Sequence, residues 1–186
     1  ATWMHEIYTR AAPLFTGRAT VPVLWDRASR TIVNNESADI LRMLNSGFGA
    51  LASGPDLYPA ALAPAIDDLN DRMYPLLNNG VYRAGFATTQ VAYEDACRGV
   101  FAMLDELEAR MGDGRPFLFG PDMTETDIRA FVTLVRFDAA YHGLFKCTAR
   151  RIADYPGLTR LIRSVIAVPG VRETADIDCI KQGYSS

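Results

Sequence analysis

Between Thr20 and Ser37 the chain reads TVPVLWDRASRTIVNNES, and two places in that stretch can hold a small ligand through the main chain. Pro22 stands near the start of a short apolar run, where its missing N–H costs a strand least. An extended X-Pro bond there, trans or cis, leaves the preceding backbone at Val21 open to a ligand. Asn35-Glu36-Ser37 then starts an apolar-periodic helix carrying Ile40, Leu41 and Leu44. The unpaired N–H groups and positive dipole end of that helix favour a carboxylate. If both features face one cleft, the cleft grips a small molecule by its backbone-like edge and its anionic end.

The elements that must position these residues follow from the same pattern. Val21–Trp25 and Thr31–Val33 read as short strands, joined by a polar segment containing Asp26 and Arg30. A short helix is expected within Trp3–Phe15, with Gly17 turning the chain toward the first strand. Residues 1–46 thus form a small α/β piece, and the Gly/Ala/Pro-rich stretch 47–64 reads as a linker. Residues 65–186 are mostly helical. Ile66, Leu69, Met73 and Leu76 recur at helical spacing up to Asn78-Asn79-Gly80. Tyr93, Cys97, Val100, Leu104, Leu107 and Met111 do the same up to Gly112. Thr124-Glu125-Thr126-Asp127 forms a capping box with Asp in place of Glu. The run Ile128–Phe137 behind it is apolar on most faces and predicts a central, buried helix. A further amphipathic helix carries Leu158, Leu161, Ile162, Val165 and Val168, and Pro169-Gly170 stops it.

Of 186 residues, 49% are hydrophobic and 22% charged, ordinary values for a soluble globular chain with one substantial core. A net charge of −3, with no Lys/Arg cluster, excludes a nucleic-acid footprint. No apolar run is long enough to span a membrane, and no basic-then-apolar start suggests a leader. Cys97, Cys147 and Cys179 are odd in number, far apart and without a CxxC, which points to reduced thiols in the cytoplasm. Cys97 lies on an apolar helix face and reads as packing. Cys147 has Lys146 beside it, a neighbour that can lower a thiol pKa, yet packing is again the better reading. His5 and His142 have no metal-ligand spacing with any Asp, Glu or Cys, so no metal is expected.

TVPVLWD followed by TIVNNES resembles the second half of the thioredoxin-like domain of the glutathione transferases, and most of all the glutathionyl-hydroquinone reductases, the Xi class. The resemblance continues through NNGVYRAGFATTQ (78–90), TETDIRAFVTLVRFDAAYHGLFKC (124–147) and PGVRETADIDCIKQGY (169–184), and so covers almost the whole chain. It implies an α+β chain: a partial thioredoxin-like, glutathione-binding unit (1–46), the linker, and an all-α transferase C-terminal domain (65–186). It implies glutathione as co-substrate, a quinone-derived second substrate and a homodimer.

Residue by residue, the resemblance carries the main chain of Val21 before Pro22 to the cysteinyl part of glutathione. Glu36 goes to the γ-glutamyl ammonium, Ser37 to its carboxylate and Arg18 to the glycyl carboxylate. Tyr82 and Tyr184 match catalytic tyrosines, and Tyr141 a substrate-binding one. The family's nucleophile is a cysteine in a segment ahead of the proline strand. Only 19 residues precede Thr20 and none is cysteine, so the sequence is expected to be a piece of a longer enzyme, inactive by itself. Cys179 stands where the family more often has histidine, and the family's C-terminal block of histidines and tyrosines corresponds here to residues 178–186, with Tyr184 its tyrosine. The implied reaction is glutathione-dependent reduction of S-glutathionyl-hydroquinones. Two other readings are a transferase using another low-molecular-weight thiol, and a binding or assembly domain without catalysis.

Overall fold

Pro22 has no N–H to give a ladder, and the first strand starts beyond it. In the computed structural model, which describes residues 1–185, β1 spans Leu24–Asp26 and β2 spans Thr31–Asn34. The strand expected over Val21–Trp25 therefore starts three residues later and ends one residue later, and the Val21–Pro22 bond ahead of it is cis. The strands pair antiparallel, with Leu24 opposite Asn34, Trp25 opposite Ile32 and Asp26 opposite Thr31. An irregularity between Leu24 and Trp25 absorbs the extra residue, as a bulge does. The Asp26 carboxylate accepts the Ala28 amide at 2.8 Å and the Ser29 hydroxyl, which closes the turn locally and lets Arg30 adopt a φ of 57°.

The chain divides into two compact units, Ala1–Asp56 and Leu57–Ser186. In the first, α1 (Met4–Ala11) packs on β2 and buries Tyr8, whose ring lies 4.8 Å from that of Phe15. The helix started by Glu36-Ser37 is α2 (Ser37–Arg42), which runs on into a π-helical turn at Met43–Gly47.

The second unit is helical. α3 (Ala63–Met73) continues into a π turn, Tyr74–Asn78, that contains Pro75. Pro75 has no N–H to donate to the carbonyl four residues earlier, and a widened turn accommodates it, with the Asn79 amide donating to the Tyr74 carbonyl at 2.8 Å. Gly80, expected to end that helix, instead opens α4 (Gly80–Gly85). Its missing side chain suits the site: a Cβ there would come within 3.1 Å of Val100 on α5 (Gln90–Arg110). α6 (Glu125–Arg136) is the central helix, followed by a π turn, Phe137–Tyr141, and the short α7 (His142–Leu144). α8 (Pro156–Ile166) packs on α5 and α6, and α9 (Ile177–Ser185) packs on the Phe137–Tyr141 turn.

At the head of α6 the Asp127 carboxylate accepts the Thr124 amide at 2.7 Å and hydroxyl at 2.9 Å, and the Leu118 amide at 2.7 Å. The cap thus also ties a loop to the helix, and all four groups from Thr124 to Asp127 are buried. The core gathers Leu69, Met73, Leu104, Leu107, Leu134 and Leu158 between α3, α5, α6 and α8. Among the described residues no helix is long and apolar enough to cross a membrane.

Candidate functional site

In the first unit an antiparallel hairpin brings its two ends together, and the flanking residues make the junction specific. The Tyr8 hydroxyl donates to the Thr20 carbonyl at 3.0 Å and lies 3.2 Å from the Thr20 hydroxyl. The Asn35 amide nitrogen donates to the Tyr8 hydroxyl at 3.1 Å and to the Thr20 hydroxyl at 3.3 Å. Thr20 leads directly into Val21-Pro22, and Asn35 into Glu36-Ser37. The two features expected to share a cleft are therefore neighbours, locked by a buried tyrosine that the sequence reading missed. An aromatic residue twelve positions upstream, at the apolar face of a short helix, carries no sequence signal of such a role.

Around this junction Val21 is 70% exposed and Pro22, Glu36 and Ser37 are exposed with it, so the main chain at the cis bond is open to solvent. The Glu36 amide differs from expectation. It donates to the Asn34 side chain at 2.6 Å, which removes it from the set of free donors at the helix start. What remains for an anion there is the Ser37 amide and hydroxyl, aided by the helix end. Arg18 is exposed and has no ion-pair partner among the described residues.

The second unit brings three tyrosines together from three separate elements. Tyr82 comes from α4, Tyr141 from the π turn after α6 and Tyr184 from α9. Their hydroxyl oxygens form a closed triangle: 3.1 Å between Tyr82 and Tyr141, 2.6 Å between Tyr82 and Tyr184, and 2.8 Å between Tyr141 and Tyr184. Each hydroxyl has one proton and two lone pairs, so a ring of three donates and accepts once at every corner. One lone pair per oxygen stays available, and any member that turns outward becomes a donor to a ligand. Tyr141 is nearly fully buried, at 2% exposure. Burial, then the hydrogen bonds to Tyr184 and Tyr82, drives its pKa far above the ordinary phenol value. Burial first, with Tyr82 adding to it, also raises Tyr184, while the hydrogen bond to Tyr141 and then the positive Arg136 work in the opposite direction. Both are neutral proton donors near pH 7.

The π turn matters to this arrangement. One widened turn rotates the residues after it relative to those before, and Tyr141 lies within that turn. No periodicity in the sequence announces it.

The cysteines are free. Cys147 is fully buried, and burial first, then Cys97, pushes its thiol up to about 12. The packing reading of Cys147 fits this burial, since desolvation of a thiolate outweighs the exposed Lys146 ammonium beside it. Cys97 packs against the core from α5, and Cys179 is exposed on α9.

A family model described as "Glutathione S-transferase, C-terminal domain" matches residues 90–164. The chain is 51% identical to "Glutathionyl-hydroquinone reductase PcpF" of Sphingobium chlorophenolicum, over 99% of this chain and 59% of that protein. Among solved structures, glutathione-bound YqjG of Escherichia coli K-12, described as a glutathione transferase homolog, matches with a TM-score of 0.94 at 48% identity. That match covers 98% of this chain and 59% of the other. Glutathione-S-transferase Xi of Phanerochaete chrysosporium matches with a TM-score of 0.94 at 45% identity, over 99% of this chain and 60% of that one. The chain thus spans about three fifths of the length of these relatives.

Proposed function

We propose that this chain belongs to the Xi-class glutathione transferases it resembles, and that the whole protein reduces S-glutathionyl-hydroquinones with glutathione. In this reading the first unit holds glutathione. The Val21 main chain pairs with its cysteinyl part, Ser37 and the start of α2 take the γ-glutamyl carboxylate, Glu36 takes the ammonium and Arg18 the glycyl carboxylate. The second unit takes the hydroquinone on Tyr82, Tyr141 and Tyr184, whose rings pack on an apolar ring while their hydroxyls reach phenolic oxygens.

The nucleophilic thiolate belongs to a residue outside this chain. It attacks the glutathione sulfur of the conjugate, forming an S–S bond as the sulfur–aryl bond breaks. The electron pair of that bond passes to the aryl carbon, which takes up a proton and leaves as the free hydroquinone. Neutral tyrosine hydroxyls stabilise charge on the phenolic oxygens during this step. A second glutathione then attacks the mixed disulfide, releasing glutathione disulfide and restoring the thiol.

The observation that carries this reading is the closed triangle of phenol hydroxyls, in which each oxygen keeps a lone pair and a rotatable proton for a phenolic oxygen of a ligand. Incubation of the whole protein with an S-glutathionyl-hydroquinone and glutathione should yield hydroquinone and glutathione disulfide in equal amounts. Absence of both products would refute it. By the same reading the protein works in the cytoplasm as a homodimer, which sedimentation of the whole protein would check.

A further inference from the structure

Gly85 ends α4 without a side chain, and the space a methyl group would occupy there holds an aromatic ring. A Cβ on Gly85 would lie 2.3 Å from Cγ of Phe145 and 2.5 and 2.8 Å from its two Cδ atoms. Those atoms form the root of a flat ring, so only displacement of the whole ring relieves the overlap. That ring touches every member of the tyrosine triangle. Its centroid lies 5.3 Å from that of Tyr82, 5.3 Å from that of Tyr141 in a stacked arrangement at 28°, and 5.9 Å from that of Tyr184, edge-on at 78°.

The backbone beneath Phe145 is equally fixed. After α7 the chain reverses at Lys146, whose φ is 59°, in the left-handed region usual for a helix end. The Tyr141 carbonyl accepts both the Phe145 and the Cys147 amides at 3.2 Å. From α5 the Tyr93 hydroxyl donates to the Lys146 carbonyl at 2.6 Å, and the buried Cys147 side chain anchors the far end. Phe145-Lys146-Cys147 is therefore a bracket that presents one ring, and Cys147 serves it by packing.

We infer that Gly85 and Phe145 are a positioning pair for the proposed reaction: the bare α-carbon seats the ring, and the ring sets how the three hydroxyls meet. The inference rests on the functional reading of the triangle given above. Neither residue is required to touch the reacting atoms; both act through Tyr82, Tyr141 and Tyr184.

The test uses the whole protein carrying Gly85→Ala, Phe145→Ala, the two together, and Phe145→Tyr. Each of the first two should lower kcat for an S-glutathionyl-hydroquinone by about tenfold to 10²-fold, the scale of a misplaced catalytic contact. KM for glutathione should stay unchanged. The double variant should be no worse than Phe145→Ala, since no ring remains to be displaced. Phe145→Tyr keeps the ring and should recover most of the rate. Phenolate absorbance against pH should show Tyr141, whose pKa burial raises, ionising at lower pH in Phe145→Ala, where water reaches it. If Gly85→Ala fails to fold, the contrast between Phe145→Ala and Phe145→Tyr decides. Additive losses in the double variant, or wild-type kcat and titration in Phe145→Ala, would overturn the inference. An inactive unsubstituted protein would instead defeat the functional reading, and the titration would still decide whether the pair orders the hydroxyls.

Discussion

Replacing Tyr184 by Phe removes one oxygen and leaves the ring where it packs, edge-on to Tyr141 at 5.4 Å and to Phe145 at 5.9 Å. Two hydrogen bonds disappear, at 2.6 Å to Tyr82 and 2.8 Å to Tyr141. Each such bond is worth about 1 kcal/mol net. The buried Tyr141 hydroxyl keeps Tyr82 at 3.1 Å, so the change strands no polar group and the larger penalty for an orphan does not apply. The expected loss is about 1–2 kcal/mol, or about 2–8 °C in Tm for a chain of this size. The bond to Tyr184 is also the second cause, after burial, of the raised Tyr141 pKa. Its loss should let Tyr141 ionise at lower pH, though still above the ordinary phenol range because burial remains. Urea denaturation and phenolate absorbance read the two effects separately. Unchanged stability together with an unchanged titration curve would refute the hydrogen-bonded triangle.

Other changes test other parts of the account. Tyr8→Phe removes the hydroxyl that joins Thr20 to Asn35 and should weaken glutathione binding by the whole protein, read by calorimetry, with the helical unit's stability untouched. Asp127→Ala deprives three buried donors of one acceptor and should cost about 3 kcal/mol or more in urea denaturation, whereas Thr124→Ala should cost about 1 kcal/mol. Cys147 carries a folded-state pKa raised from 9.0 to about 12, so its contribution is fully present below pH 9 and is lost as pH rises toward 12. Through that window stability should fall by up to about 1.4 kcal/mol per pH unit from this group, and Cys147→Ser should flatten the slope.

Much of the fold was legible because its signals are local. Pro22, the Thr124–Asp127 cap and the apolar spacing of α5 each announce an element through chemistry within four residues. The strand start at Leu24 and the helix at Gly80 departed from expectation for reasons of contact: a missing N–H in one case, close approach to Val100 in the other. The candidate site was legible in its parts and hidden in its connections. Resemblance picked out Tyr82, Tyr141 and Tyr184, but their union depends on a π turn at Phe137–Tyr141 and on a ring seated over Gly85, neither of which leaves a periodic trace. Tyr8 was missed for the same reason: its partners lie 12 and 27 residues away.

The central claim is that the triangle acts on the phenolic part of the substrate and leaves thiol chemistry alone. Its most direct test compares two rates in the whole protein carrying Tyr82→Phe and Tyr184→Phe. One is turnover of an S-glutathionyl-hydroquinone; the other is turnover of a small mixed disulfide of glutathione with no phenol. The account predicts a loss of about 10²-fold or more in the first, the size of a lost donor to a developing oxyanion, with the second unchanged. Equal losses in both, or none in either, would contradict it.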